Sequence, residues 1–442
     1  MLFSRKDLTR LIVPLIFEQF LSGSIGVVST LLVSHAGEAA VSGISLVDSI
    51  NILLTQLFAA LATGGAVICA QYLGKNDPEE AQQAGLQLYY SIFALALACA
   101  LLVLTAKDPL IHLVFGDLEP EVYRSARIYY IYSALSYPFL ALYNAGAALS
   151  RAMGKAKLSL YVSLIMNLVN LAAGWILIPV LHLEVTGAGI AALLARFAGA
   201  AAISLFLLDP ADPLNLRGIL HVHADWSLVR RILGIGIPSG IENSLFQVGK
   251  ILVTSLISTF GTASIAAYAV ANNVSTFVSV PSNAVGLAML TVTGQCMGAG
   301  DVPQARHYIR VLSGIGYAGT FLAAAASWLL DDQVLQIYSM TAEAGGYLLS
   351  MIHIFAIFVI FAHIPSFALP NALRAAGDVR FTMTVSILSM WFVRVLLSYV
   401  LGKWLGMGIV GVWLAMCLEW IARAAIFLLR YRGDAWVRHK IV

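Results

Sequence analysis

The sequence predicts an all-α polytopic membrane protein: twelve transmembrane helices, grouped as two six-helix lobes that a parallel internal repeat relates around a central cleft. Composition, span spacing and self-similarity predict it. Of the 442 residues, 60% are hydrophobic and only 11% are charged, against about a quarter charged in soluble domains. So few polar groups cannot cover a soluble surface. Apolar runs near 8–33, 44–70, 85–106, 121–148, 158–181, 187–208, 231–259, 268–294, 308–330, 345–370, 381–402 and 409–430 each approach or reach the roughly 20 residues that cross a bilayer.

The first run opens behind Arg5, Lys6 and Arg10. No small-residue cleavage site closes it, so it reads as a retained span rather than a signal peptide. Turn-rich separators follow: KNDPEE, LEPEVY, MGKAK and HLEVTG in the first half, FGTAS, AGDVP and AAGDVR in the second. The longest, 209–230, holds three aspartates and two prolines and divides a lobe at 1–208 from a lobe at 231–442. With both termini cytoplasmic, eighteen of the 26 Lys and Arg fall on the inside and four outside. That bias is the one a multi-pass protein of a bacterial cytoplasmic membrane should have.

The repeat is read directly. The stretch 71-QYLGKNDPEEA-81 returns 224 residues later as 295-QCMGAGDVPQA-305. Gln71, Gly74, Asp77 and Ala81 match Gln295, Gly298, Asp301 and Ala305. At the same offset Pro14 matches Pro238, Glu18 matches Glu242 and Gly37 matches Gly261, while 151-RAMGK-155 echoes 374-RAAGD-378 at 223. Six spans per copy start both copies on the same side, which suits alternating access by rocking lobes. Gln71, Gly74, Gln295 and Gly298 are therefore candidate gating positions.

Ionisable groups within spans are costly and mark function. Glu18 and Glu242 each follow a proline by one turn, where a freed carbonyl could share a proton or cation with the carboxylate. Lys250 could answer Glu242 through Gln247. His363 stands just before two prolines, Pro365 and Pro370, and can exchange a proton near neutral pH; a packing hydrogen bond is its other reading. Glu419 and Arg423 are spaced for a helix ion pair that Arg394 could join. Asn167, Asn170, Asn272 and Asn273 could line a cleft or bridge helices. Asp48 is a further cleft candidate or merely interfacial, and Arg196 has no evident partner. His221, His223 and Asp225 are too sparse for a metal site. Cys69, Cys99, Cys296 and Cys417 form no CxxC pair, so small buried hydrophobes are expected, with no disulfide or metal. Phosphate-binding and catalytic signatures are missing, which argues against ATP as the energy source and against an enzyme.

The double QxxG stretch, the Pro-x-x-x-Glu starts, SHAGEAAVSGISLVDSIN, FGTASIAAYAVANN and the repeated Arg-x-x-Gly together resemble the MATE family of multidrug and toxic compound extrusion transporters, over nearly the whole chain. The resemblance implies a monomeric secondary antiporter in a lipid bilayer. It would export organic, often cationic, small molecules against an H⁺ or Na⁺ gradient, with no cofactor and no nucleic-acid partner. A lipid-linked oligosaccharide flippase of the wider superfamily is the alternative, ahead of a non-transporting membrane enzyme or sensor. Many relatives carry a first-helix aspartate where this chain has Ser29, and Asn-x-x-x-Asp where it runs from Asn170 to Gly174. Others pair a seventh-helix glutamate, near Glu242, with a tenth-helix aspartate, where His363 stands. The resemblance thus implies a C-terminal coupling set of Glu242, Lys250 and His363, with H⁺ favoured over Na⁺.

Overall fold

The computed structural model describes residues 2–34, 37–219 and 224–439, with side chains of 25–34 and Glu38 outside the description. Twelve helical spans follow in chain order among them. They are α1 (Arg5–Ser34), α2 (Glu38–Gly74), α3 (Pro78–Phe115), α4 (Pro120–Ala152), α5 (Ala156–Val180), α6 (Glu184–Phe206) and α7 (Trp226–Ser258). Then come α8, in two segments Thr262–Val278 and Val280–Gly298 bent by 47°, α9 (Val302–Leu329), α10 (Ala342–Ala375), α11 (Val379–Trp404) and α12 (Gly408–Arg432). Eight are long and apolar enough to cross a membrane, nine with the bent pair taken as one. Spans α4 and α7 are as long but richer in polar residues.

The echoed stretches turn out to be helix ends. Asp77 caps α3 by accepting from Glu80 N at 3.3 Å, and Asp301 caps α9 by accepting from Gln304 N at 2.9 Å. A proline sits in the first turn of each, where its missing N–H is harmless. The preceding helices close alike: Lys75 N bonds Gln71 O and Asp77 N bonds Tyr72 O, as Ala299 N bonds Gln295 O and Asp301 N bonds Cys296 O. Such closures satisfy the last carbonyls and need a left-handed residue, here Asn76 and Gly300. Gly154 and Gly377 do the same after α4 and α10. Gln71, Gly74, Gln295 and Gly298 thus belong to final helical turns. Gly37 and Gly261 precede α2 and α8 at φ 95° and 94°, ψ 165° and 171°, a region open only to glycine.

Packing divides the chain into two units, Thr9–Gly240 and Met1–Leu8 with Ile241–Val442. Below, these are the N unit and the C unit. The division falls inside α7, because its first turns lie on α2: a Cβ on Gly64 would meet Ile232 O at 2.7 Å and Gly236 N at 2.8 Å. Arg231 also donates to the Tyr72 hydroxyl at 2.9 Å. The start of 209–230 folds back on the N unit, where Gln82 Nε2 donates to Asn215 Oδ1 at 2.8 Å. In the C unit, Trp413 and Trp420 pack around Phe355 at 6.0 and 5.6 Å between ring centroids. Between helices in lipid, close packing of this kind replaces the hydrophobic drive.

Gly64→Val should lower stability by about 1–3 kcal/mol, since two backbones must separate. A Cβ on Gly234 meets nothing within 4 Å, so Gly234→Ala should leave the unfolding midpoint in detergent unchanged. Equal midpoints for both variants would refute the close α2–α7 approach.

Candidate functional site

The N unit holds a cavity of about 260 Å³ between α2, α4, α5 and α6. Its space comes from small side chains: Ala188, Ala191, Ala192 and Ala195 form one stripe of α6, and Gly174 faces it from α5. Asp48, Tyr129, Asn167, Asn170 and Arg196 also line it. Asp48 is half-buried. It accepts from Asn51 Nδ2 at 3.0 Å, with Tyr129 beside it. Arg196 attracts it without closing a salt bridge and donates instead to Ser136 Oγ. Behind Asp48, Asn51 also donates to Ser133 Oγ at 3.1 Å and accepts from the Tyr137 hydroxyl at 2.8 Å. These bonds fix the amide and so the carboxylate. Asn167 Nδ2 donates to Ser163 Oγ at 3.3 Å. Three of the expected cleft residues thus share one cavity, joined by Arg196 and Tyr129. Tyr129 carried no signal beyond being one of 17 tyrosines.

Glu18 and Glu242 have a different setting from the expected one. Glu18 pairs with Arg151 at 3.3 Å and Glu242 with Arg374 at 2.6 Å. Both glutamates are buried. The two duplicated motifs, Pro-x-x-x-Glu and Arg-x-x-Gly, are therefore the two halves of one ion pair, made once per unit. The copies differ in one detail. Ser159 Oγ donates to the second Glu18 oxygen at 2.7 Å. At the matching position Thr382 donates only to Val379 O, and Glu242 Oε2 is buried without a partner.

Glu242, Lys250 and His363 do not bond to one another. Arg374, not Lys250 through Gln247, answers Glu242; Gln247 is half-buried and has no hydrogen bond among the described residues. His363 Nδ1 lies 2.7 Å from Ser282 Oγ and its Nε2 3.2 Å from Ser279 Oγ. The serines flank the break in α8, so the histidine holds that break to α10. Its ring stacks on Phe367 at 4.5 Å. Glu419 and Arg423 do pair, at 3.4 Å. Arg394 does not join them. Instead Lys250, Arg394 and Arg423 stand 5.8, 5.7 and 5.7 Å from the centroid of one ring, Phe246. Asn272 bonds its own helix at Tyr268 O, and Asn273 reaches the Tyr338 hydroxyl at 3.5 Å. Neither lines the N-unit cavity. Asp225 caps α7; His221 and His223 lie outside the described residues. The four cysteines are free thiols, three of them buried.

The family model MatE matches residues 14–176 and 238–400, one match per half. The chain is 25% identical over 435 residues to "Uncharacterized transporter YisQ" of Bacillus subtilis, covering 96% of this chain and 93% of that one. It is 24% identical over 448 residues to "Probable multidrug resistance protein NorM" of Thermotoga maritima, covering 99% and 94%. Among solved structures, the outward-facing conformation of a multidrug resistance MATE family transporter of the MOP superfamily superposes with a TM-score of 0.91 at 20% identity, over 98% and 97% of the two chains.

Breaking either ion pair strands an arginine in a poorly hydrated place. Glu18→Gln and Glu242→Gln should each cost about 2–4 kcal/mol. Combining Glu242→Gln with Arg374→Gln should recover at least about 1 kcal/mol relative to the summed single effects. Strictly additive unfolding free energies would show that the pair carries no coupling.

Proposed function

This chain belongs to the MatE family of membrane transporters, and on that premise we propose that it is a proton-coupled antiporter exporting small organic compounds. Both its termini lie in the cytoplasm of a bacterium, and H⁺ rather than Na⁺ is exchanged. The observation carrying this reading is the N-unit cavity, in which Asp48 meets Asn167, Asn170 and Arg196. Taking a carboxylate out of water penalises its charged form, and Asp48 is half-buried. The nearby guanidinium opposes a bound metal cation and leaves a proton as the cation Asp48 can take. A compound that donates a hydrogen bond to Asp48 competes with that proton, so loading one expels the other. Asn167 and Asn170 offer donors and acceptors to a wide range of polar groups, while the alanine stripe accepts apolar surface. Such a wall suits loose selection, as in the multidrug relatives.

One observation favours a second proton site. Glu242 Oε2 is buried with no partner among the described residues, an acceptor left open, in keeping with a coupling role for Glu242. Glu18, fully bonded, lacks this feature.

The test is transport in proteoliposomes under an imposed pH or Na⁺ gradient, with one cationic and one anionic dye, for wild type, Asp48→Asn and Glu242→Gln. Dye movement driven by ΔpH and reduced at least about tenfold in Asp48→Asn is the expected result. Loss confined to Glu242→Gln would move the proton to the C unit. Movement driven by Na⁺ alone would overturn proton coupling. No movement of either dye, together with transfer of labelled lipid between leaflets, would favour a flippase.

A further inference from the structure

We infer that α7, α11 and α12 of the C unit build a binding site for an organic anion, in which Lys250 and Arg394 hold a carboxylate, sulfonate or phosphate beside the Phe246 ring. The reading starts from charge that the protein leaves unbalanced. Lys250, Arg374, Arg394 and Arg423 gather on four helices of this unit, and the only carboxylates paired there among the described residues are Glu242, with Arg374, and Glu419, with Arg423. Arg394 is 4% exposed, has no ion pair or side-chain hydrogen bond among the described residues, and its Nε is buried without a partner. Lys250 is exposed and equally lacks an acid. Both cations and Arg423 stand 5.7 to 5.8 Å from the centroid of one ring. Attraction to a ring quadrupole is too weak to offset both their mutual repulsion and the desolvation of a buried guanidinium. An anion between them would satisfy both heads, with charge-assisted bonds. The exposed side of Lys250 supplies the way in, and Phe246 an apolar surface for the body of the compound.

The repeat supplies a second, independent observation. Gly187 against Leu177 and Gly411 against Leu401 are equivalent close approaches 224 residues apart. The turns before α5 and α11, by contrast, match at 223 through Arg151 and Arg374. Span α11 thus carries one residue more than α5. The wide π-type turn Ser389–Val395, which α5 lacks, absorbs it. Single-residue insertions of this kind are kept mainly at functional sites, and this one carries Arg394. Lys250 replaces Gly26 of the first half, and Arg423 replaces Gly199. The cations lie where the copies diverge.

This site deepens the transporter reading by naming a substrate class, and it is tested without a gradient. The protein in nanodiscs of uncharged lipid is titrated against 5-carboxyfluorescein, with rhodamine 6G as a cationic probe of related shape. Carboxyfluorescein should bind, more weakly as salt rises, with affinity about 30-fold lower in Arg394→Gln and about tenfold lower in Lys250→Gln. Arg394→Lys should retain most of it. Unliganded Arg394→Gln should melt no lower than wild type, because the lost charge has no protein partner. The proposal is overturned by absent carboxyfluorescein binding, by affinities unchanged in both variants, by equal binding of rhodamine 6G, or by a lower melting point of Arg394→Gln. Displacement of the probe by phosphatidylglycerol added to the nanodisc would make it a lipid headgroup site and also overturn it. Binding is scored at equilibrium, so failure of ΔpH-driven transport leaves this result standing.

Discussion

The ion pair between a glutamate one turn past a helix proline and an arginine at the far end of a later span is what the rest of each unit is built around. In the N unit it ties α1 to α4, and through Ser159 to α5. In the C unit it ties α7 to α10. Neither partner can exist alone in a bilayer without large cost, so each needs the other before either span is stable. That mutual need also fixes register. A helix that slid by one residue would rotate its charge about 100° away from the partner.

The second constraint is the helix end. Chain reversals at the membrane surface leave four carbonyls and four N–H groups unbonded per helix. Here one solution is used repeatedly: an αL residue to finish, then in two cases an aspartate to start. Asn76, Gly154, Gly300 and Gly377 are its left-handed residues; Asp77 and Asp301 its caps. Because φ and ψ are demanding there, the residues that satisfy them survive in both copies while their neighbours drift. Self-similarity between halves is therefore densest at caps and at the ion pair, where backbone and charge admit few alternatives.

This explains what could be read in advance. Span order and the duplication follow from hydropathy and turn chemistry, both local in sequence. The Glu419–Arg423 pair was legible too, being one helical turn. What could not be read is long-range. Arg151 and Arg374 were visible as repeated residues yet not as partners of Glu18 and Glu242, although two motifs duplicated at nearly one offset were the available signal. Phe246 looked like any membrane phenylalanine; only the fold shows three cations around it. Arg394 was expected beside Glu419, but the π-type turn that carries it aims it elsewhere. Asp48 and Arg196 come from α2 and α6, and nothing local links them to one cavity.

The two units answer the same helical plan with opposite chemistry. In the N unit, the small residues of α5 and α6 open a cavity that holds one carboxylate and one guanidinium. In the C unit, Met390 packs where a Cβ on Gly249 would meet it at 2.6 Å, and Trp413, Phe355 and Trp420 form an aromatic cluster. Beside the ion-paired Arg374 and Arg423 the unit holds Lys250 and Arg394, cations without a counter-ion among the described residues. A duplicated protein that kept both sites alike would bind the same group twice. On the proposed reading, divergence separates the tasks: one unit keeps a carboxylate, the other an excess of positive charge that arginine does not lose in the working pH range. An arginine held charged is a constant attraction, whereas a carboxylate is a switch, and exchange needs both a switch and something it can act against.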